Sequence, residues 1–312
     1  MKNPPLNRHS RIGVPAVVAA AALLLTVTAC SPTDGVATQG AADTTGAITG
    51  VPALQVDPAA VELLPASVKA SKVLRVAIPT NEPPTQFYRE GTQDMTGTNP
   101  DVARLIGEAL GLKVEIHVAN FDSIIPGLAA NRYDMTVSSM TPTTKRMEVL
   151  DFVDYMQIGN AIAVPKGNPG GIKDEHALCG KKVGLLTGSY QLTVNVPAYD
   201  KECAAAGKES IQRSEFQDTR QAISALTSGR LDTVLADSPI LNYAATQNPQ
   251  IEVARTYEFA PVSVGVPKES GLVKSVSAAL DAVIKSDSYT KVLAKYGLES
   301  SAITDARVDF AQ

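Results

Sequence analysis

The 312-residue sequence has no tryptophan, only 5% aromatic residues, three histidines and three cysteines. Stacking platforms for single-stranded nucleic acid need aromatic rings, and phosphate contacts need an excess of Lys and Arg. Here 28 basic residues face 32 acidic ones, a formal charge of −4, so nucleic acid is not an expected partner. Residues 1–29 hold Lys2, Arg8 and Arg11 and no acid, so without them 25 basic residues face 32 acidic ones, a charge of −7. His9, His117 and His176 stand at no ligand spacing to a cysteine, which argues against a metal. No nucleotide-binding loop and no nucleophile–base pair is visible, so no cofactor is expected. What remains is a chain that is 44% hydrophobic and long enough for a sizeable core, most simply in two lobes.

The N-terminus carries the three positive charges, an apolar run over residues 12–28, and then Val27-Thr28-Ala29-Cys30. A charged start, an apolar centre and small residues before a cut describe an export signal. A membrane span is the other reading, but the run is at the short edge of the roughly 17–25 residues required and is broken by Gly13 and Pro15. The terminal Cys30 resembles that of a bacterial lipobox, which predicts a signal over 1–29, lipid on Cys30, and a protein held on the outer face of the cytoplasmic membrane. Residues 30–56, rich in Ala, Thr and Gly, predict a flexible tether. Outside the cytoplasm thiols usually pair, so Cys179 and Cys203 are expected to form a disulfide.

Beyond the tether the hydrophobic period alternates between 2 and 3.6. Leu74 to Ile78 reads as a strand that runs into Asn81-Glu82-Pro83-Pro84; Asn99 and Pro100 open a helix with Val102, Leu105, Ile106 and Leu110 on one face. Strands at Val114–Val118 and Met135–Ser138 follow, separated by a helix over Asp122–Ala130. A similar series starts near Lys182, with strands at Val183–Leu186 and Thr233–Ala236 and a helix over Thr219–Thr227. A further strand at Val262–Val266 and two C-terminal helices return to the first lobe. This order predicts an α/β fold with a mainly parallel sheet in each lobe.

Ligands of open α/β sheets sit at the carboxyl ends of the strands, which selects Ser138, Ser139 and Thr141, then Gly188, Ser189 and Tyr190, then Asp237. In Ser138-Ser139-Met140-Thr141-Pro142-Thr143-Thr144-Lys145-Arg146, hydroxyls precede a helix expected to start at Pro142, with a guanidinium one turn in. That set suits a carboxylate, since Arg grips both oxygens and a helix N-terminus favours negative charge. Asp237 is either a ligand group or the cap of the helix opening at Ser238-Pro239. Phe121 is either a wall of the site or core, and Glu82 either lines the pocket or faces solvent in its loop.

From Leu74 to Gly297 the chain resembles the family 3 solute-binding proteins, the receptors of polar amino-acid ABC importers. The resemblance rests on Leu74-Arg75-Val76, Asp122 to Leu128, Ser138 to Arg146, Asp151-Phe152, Lys181 to Gly184, Gly229-Arg230-Leu231-Asp232 and Ser288 to Lys291, in that order. It implies a two-lobed periplasmic-binding-protein-like fold of type II with the ligand cleft between lobes, lobe 1 over 57–160 and 259–312 and lobe 2 over 161–258. It also implies that Arg146 clamps an α-carboxylate with Ser139 and Thr141, that Gly188-Ser189-Tyr190 completes that site, and that Asp237 takes the α-ammonium. Glu82 stands where many members have an aromatic residue; if it lines the pocket, an unpaired carboxylate there is costly and the ligand is expected to bring a cation or several N–H donors to it.

The resulting expectation is a monomeric, lipid-anchored receptor that delivers an amino acid or related zwitterion to a membrane permease, without catalysis. A sensory module that feeds no transporter is one alternative. A secreted dehydratase resembling cyclohexadienyl dehydratase, with Glu82 as general acid, is the other. Turnover of prephenate or arogenate distinguishes the enzyme.

Overall fold

The computed structural model describes residues 42–43 and 47–308. The expected signal, Cys30 and the first part of the tether lie outside the described residues. Its later part is packed rather than free: Ile48 is buried, Val51 and Leu54 rest on the same core, and Leu54 N–H donates to Glu108 Oε2 at 2.8 Å. Three bulky apolar residues spaced by three are enough to hold this stretch.

A two-residue strand β1 (Ala42–Asp43) precedes two short helices, α1 (Pro58–Glu62), capped by Asp57, and α2 (Ala66–Ser71). The first lobe then follows the expected alternation: β2 (Val73–Pro79), a small hairpin β3 (Phe87–Tyr88) and β4 (Met95–Thr96), α3 (Thr98–Leu110), β5 (Lys113–Ala119), α4 (Phe121–Ala129) and β6 (Met135–Met140). After α5 (Thr144–Met147) comes a 16-residue strand, β7 (Leu150–Pro165). The second lobe holds β8 (Lys182–Leu186), a π-helical turn over Gln191–Asn195 leading into α6 (Val196–Ala205), β9 (Gln212–Phe216), α7 (Thr219–Thr227), β10 (Thr233–Asp237) and α8 (Ser238–Gln247). A 17-residue strand β11 (Ile251–Pro267) leads back to α9 (Val273–Ile284) and α10 (Asp287–Lys295), both packed on the first core.

The strands form one hydrogen-bonded order, β1-β5-β2-β6-β11-β7-β10-β8-β9. Pairs of β2 with β5 and β6, and of β8 with β9 and β10, are parallel as expected. β7 and β11 pair antiparallel with each other and with their neighbours, so each half combines parallel and antiparallel pairs. These two strands also pass from one core to the other. β7 contributes Val153, Tyr155 and Ile158 to the first core and Ala161 to Val164 to the second; β11 contributes Tyr257 to the second and Val262 and Val264 to the first. At the passage the register jumps from Tyr257↔Asn160 to Ala260↔Ile158, a bulge in which Glu258 holds φ 50°. Gly159 faces that bulge, where a Cβ would meet Thr256 Cγ2 and Tyr257 O at 3.0 Å. The close approach of the strands therefore needs the missing side chain.

Cys179 and Cys203 are bridged, with Cα atoms 5.6 Å apart. Cys203 lies inside α6 and is buried. The bridge closes a loop with a sequence separation of 24, worth about 3.5 kcal/mol in the chain-entropy account. Alkylation of the purified protein without reductant should leave both thiols unmodified, and reduction should lower the melting temperature; two alkylated cysteines by intact mass would contradict this.

Candidate functional site

A narrow cavity of about 20 Å³ lies where the carboxyl ends of β2, β6, β8 and β10 converge. Of the ten residues expected to bind ligand, nine line it: Glu82, Phe121, Ser138, Ser139, Thr141, Arg146, Ser189, Tyr190 and Asp237. Gly188 does not line it but stands beside it. With φ 77° and Asp122 Cβ and Cα 3.2 and 3.3 Å from where a Cβ would be, it lets the two lobes approach and turns its carbonyl toward Arg146.

Arg146 is positioned by a short helix that starts later than expected. Thr143, not Pro142, sits at the cap, and its Oγ1 accepts the Arg146 N–H at 3.2 Å. The guanidinium is buried, donating from Nη1 to Thr141 O at 2.7 Å and from Nη2 to Gly188 O at 2.9 Å, and lies 5.4 Å from the centre of the Phe121 ring. Burial pulls its pKa down to about 10 even though Asp237 works the other way. Phe121, open to two readings in the sequence, is thus both a cavity wall and the platform for this cation.

Ser139 takes a left-handed backbone conformation, φ 51°. Its N–H donates to Tyr155 Oη at 2.9 Å, and its Oγ accepts from Asn99 Nδ2 at 3.1 Å. Asn99 therefore does not cap α3, which begins at Thr98. Its Oδ1 accepts from Tyr155 Oη at 2.5 Å and its Nδ2 also reaches Gln86 Oε1 at 2.8 Å. This buried network holds the end of β6. Ser138 Oγ, by contrast, is buried, lines the cavity and has no hydrogen-bond partner among the described residues. Ser189 Oγ accepts the Leu192 N–H at 3.1 Å, which starts the helix after β8.

The acidic end is built by Asp237 and Glu82. Asp237 occupies the cap position of α8 without bonding its backbone; its Oδ1 instead accepts Gln191 Nε2 at 2.8 Å. Burial pushes its pKa up to about 6 against the pull of Gln191 and Arg146. Glu82 is 2% exposed, so it faces the cavity and not solvent. It is not unpaired there: Oε1 accepts the Thr219 N–H at 2.6 Å, from the first turn of α7 on the opposite lobe. Burial pushes its pKa up to about 7, with Thr219 opposing and Asp237 and Asp218 adding. Three lining residues are charged, one positive and two negative. Asp237 feels Arg146 and Glu82 feels Asp237, so the three charges act on one another within the cavity.

Thr85, Gln86, Gln191 and Thr219 also line the cavity, and the sequence did not single them out. Gln191 follows the Gly188-Ser189-Tyr190 turn directly, a spacing that pointed to it. Thr219 carried only a helix-start signal, Asp218 three residues before Gln221. That signal is a working cap: Asp218 Oδ1 accepts the Gln221 N–H at 2.9 Å. Among the described residues no group of three His, Cys, Asp or Glu is arranged to hold a metal, and no helix is long and apolar enough to cross a membrane.

Residues 74–299 match the model of the bacterial extracellular solute-binding proteins, family 3. The chain belongs to that family. This solute-binding protein is 28% identical over 249 residues to the arginine-binding protein ArgT of Corynebacterium glutamicum, covering 79% of this chain and 81% of that one. Its fold superposes on an ancestral arginine-binding protein bound to arginine with a TM-score of 0.66 at 32% identity, covering 72% of this chain and 98% of that one. It is also similar, at a TM-score of 0.64 and 27% identity, to an ancestral amino acid-binding protein that is a precursor of cyclohexadienyl dehydratase, covering 74% and 97%. A family 3 solute-binding protein has the two-lobed fold, with the cavity between lobes, that the sequence implied.

Proposed function

We propose that this family 3 protein is the receptor of an ABC importer and captures a cationic amino acid, arginine before lysine, by closing its lobes on it without catalysis. The observation that carries the reading is the set of charges in the cavity, one cation, Arg146, with two acids, Asp237 and Glu82. A dibasic amino acid presents a carboxylate, an α-ammonium and a side-chain cation, the set complementary to it. It also leaves no net charge in a site whose lining is otherwise minus one, which a dry cavity favours strongly. In this account Arg146 and Thr141 receive the carboxylate with Ser139 and the Gly188-Ser189-Tyr190 turn, Ser138 and Asp237 the α-ammonium, and Phe121 and Glu82 the side chain. The arginine-binding relatives support the same class. Lipid on Cys30, a tether and a single copy at the outer face of the cytoplasmic membrane complete the proposal. β7 and β11 would serve as the hinge, dividing the lobes near residues 160 and 258.

A dehydratase is the second reading, favoured by a buried carboxyl of pKa about 7 in the cleft and by the dehydratase precursor among the similar folds. Two assays on the purified protein separate them. Calorimetry should give tight binding of L-arginine or L-lysine, weaker binding of L-glutamine and none of L-glutamate, and incubation with prephenate or arogenate should give no turnover. Turnover would replace the receptor reading.

The raised acids also set a pH dependence. Glu82 and Asp237 hold protons in the closed cleft up to about pH 7 and 6, and a cationic ligand needs both ionised. Affinity should therefore rise from pH 5.5 to 8, with protons released on binding near pH 6.5, seen as a buffer-dependent heat. The unliganded protein should behave oppositely. Because both folded pKa values lie above the ordinary 4.5 and 3.8, these groups favour the folded state at low pH, and that contribution is lost as pH rises through the window. An affinity that is flat across the range would contradict the assignment.

A further inference from the structure

We infer that Thr219 is a specificity-determining residue, its hydroxyl and the outer oxygen of Glu82 forming a two-acceptor subsite for a guanidinium. The inference rests on the cationic-ligand reading above and assigns the part of the cavity that chooses among cations.

Thr219 comes from the lobe opposite Glu82, yet the two are joined directly through the Thr219 N–H and Glu82 Oε1. The Thr219 side chain is 1% exposed and lines the cavity; its Oγ1 lies near enough to the Glu82 carboxylate to favour the ionised form, yet completes no well-formed hydrogen bond among the described residues, so its lone pairs are left to accept. A buried hydroxyl left without a partner is costly and uncommon. Its helix does not need it, since Asp218 already supplies the cap. Glu82 Oε2 is nearly as free, its described contact being Gln86 Nε2 at 3.5 Å, the outer limit of a hydrogen bond. A carboxylate oxygen and a hydroxyl able to accept thus line the same cavity, on residues joined by a backbone bond across the cleft.

A guanidinium offers parallel N–H groups in a rigid plane and serves both acceptors at once, whereas an ammonium is a compact charge for which the carboxylate alone suffices. A site built to hydrogen-bond a group discriminates strongly against an analogue that leaves its polar atoms unpaired. Thr219 accordingly selects guanidino over amino side chains, and it does so only in the closed form, because its hydroxyl reaches the site with the second lobe.

The test is calorimetry with L-arginine and L-lysine on the purified protein, its Thr219→Val form, which keeps the shape and removes the hydroxyl, and Thr219→Ser, which restores it. The wild type should bind arginine at least about tenfold tighter than lysine. Thr219→Val should lower arginine affinity about tenfold and leave lysine within about threefold, and Thr219→Ser should recover the preference. Lysine binding by Thr219→Val reports that the fold is intact. A wild type that binds both cations equally, or an arginine-to-lysine ratio that Thr219→Val leaves within twofold, overturns the inference while the cationic reading stands. Binding of neither cation by the wild type overturns the cationic reading and the inference with it.

Discussion

Arg146→Ala should lose about 2–5 kcal/mol of affinity for every amino acid the protein binds, enough to abolish binding at micromolar concentrations. The guanidinium is buried against two backbone carbonyls and the Phe121 ring, and the nearby Asp237 charge favours it without forming an ion pair with it. A buried cation so placed is held at a desolvation cost that a ligand carboxylate offsets through paired, charge-assisted bonds. Removing it deletes that partner and the tie to Gly188 across the cleft, but no ion pair of the core. The unliganded melting temperature should therefore stay level or rise while affinity collapses. Normal binding of the cognate amino acid by Arg146→Ala would show that the carboxylate lies elsewhere.

The second large effect belongs to Asp237→Asn. Asparagine keeps the volume and still offers Oδ1 to Gln191 Nε2, so the local network, which continues from Gln191 to Asn160 Oδ1 at 2.7 Å, is preserved. What disappears is the negative charge facing the α-ammonium, beside a Glu82 that is itself partly protonated near neutral pH. Loss of a buried counter-charge is expected to cost about 2–5 kcal/mol again. A ligand analogue without the α-amino group provides the control: it should bind the wild type weakly and Asp237→Asn no worse. If the analogue and the amino acid lose affinity equally, Asp237 serves the fold of the lobe and not the ammonium.

Much of the fold and of this site was legible in the sequence, and the exceptions have physical causes. Strands such as β2 and β8 lie within one core each, so their apolar patterns are read directly, and the strand-end rule then gathers Ser138, Arg146, Ser189 and Asp237. β7 and β11 escaped as long strands because each serves two cores in turn: Ile158 points to one and Ala161 to the other, and no single period spans the change. β9, Gln212–Phe216, is a polar edge strand with little buried surface and no clear alternation. Asn99 carried a valid cap signal, but its side chain is drawn instead into the buried bonds with Tyr155, Ser139 and Gln86. Thr219 reaches Glu82 across 137 positions of sequence, a contact that local pattern cannot announce. Its exposure to the cavity is a property of lobe closure, not of its own segment.

The central claim, that Glu82 and Asp237 make this a site for an amino acid with a second positive charge, is tested most directly by exchanging one charge and comparing ligands of one shape. Calorimetry at pH 7.5 with L-arginine, L-lysine, L-glutamine and L-glutamate should rank the cations first in the wild type. Glu82→Gln, which keeps an acceptor for Thr219, should weaken the cations by about tenfold or more while leaving glutamine nearly unchanged. Glutamate binding tightest, with a ranking that Glu82→Gln does not alter, would contradict the account.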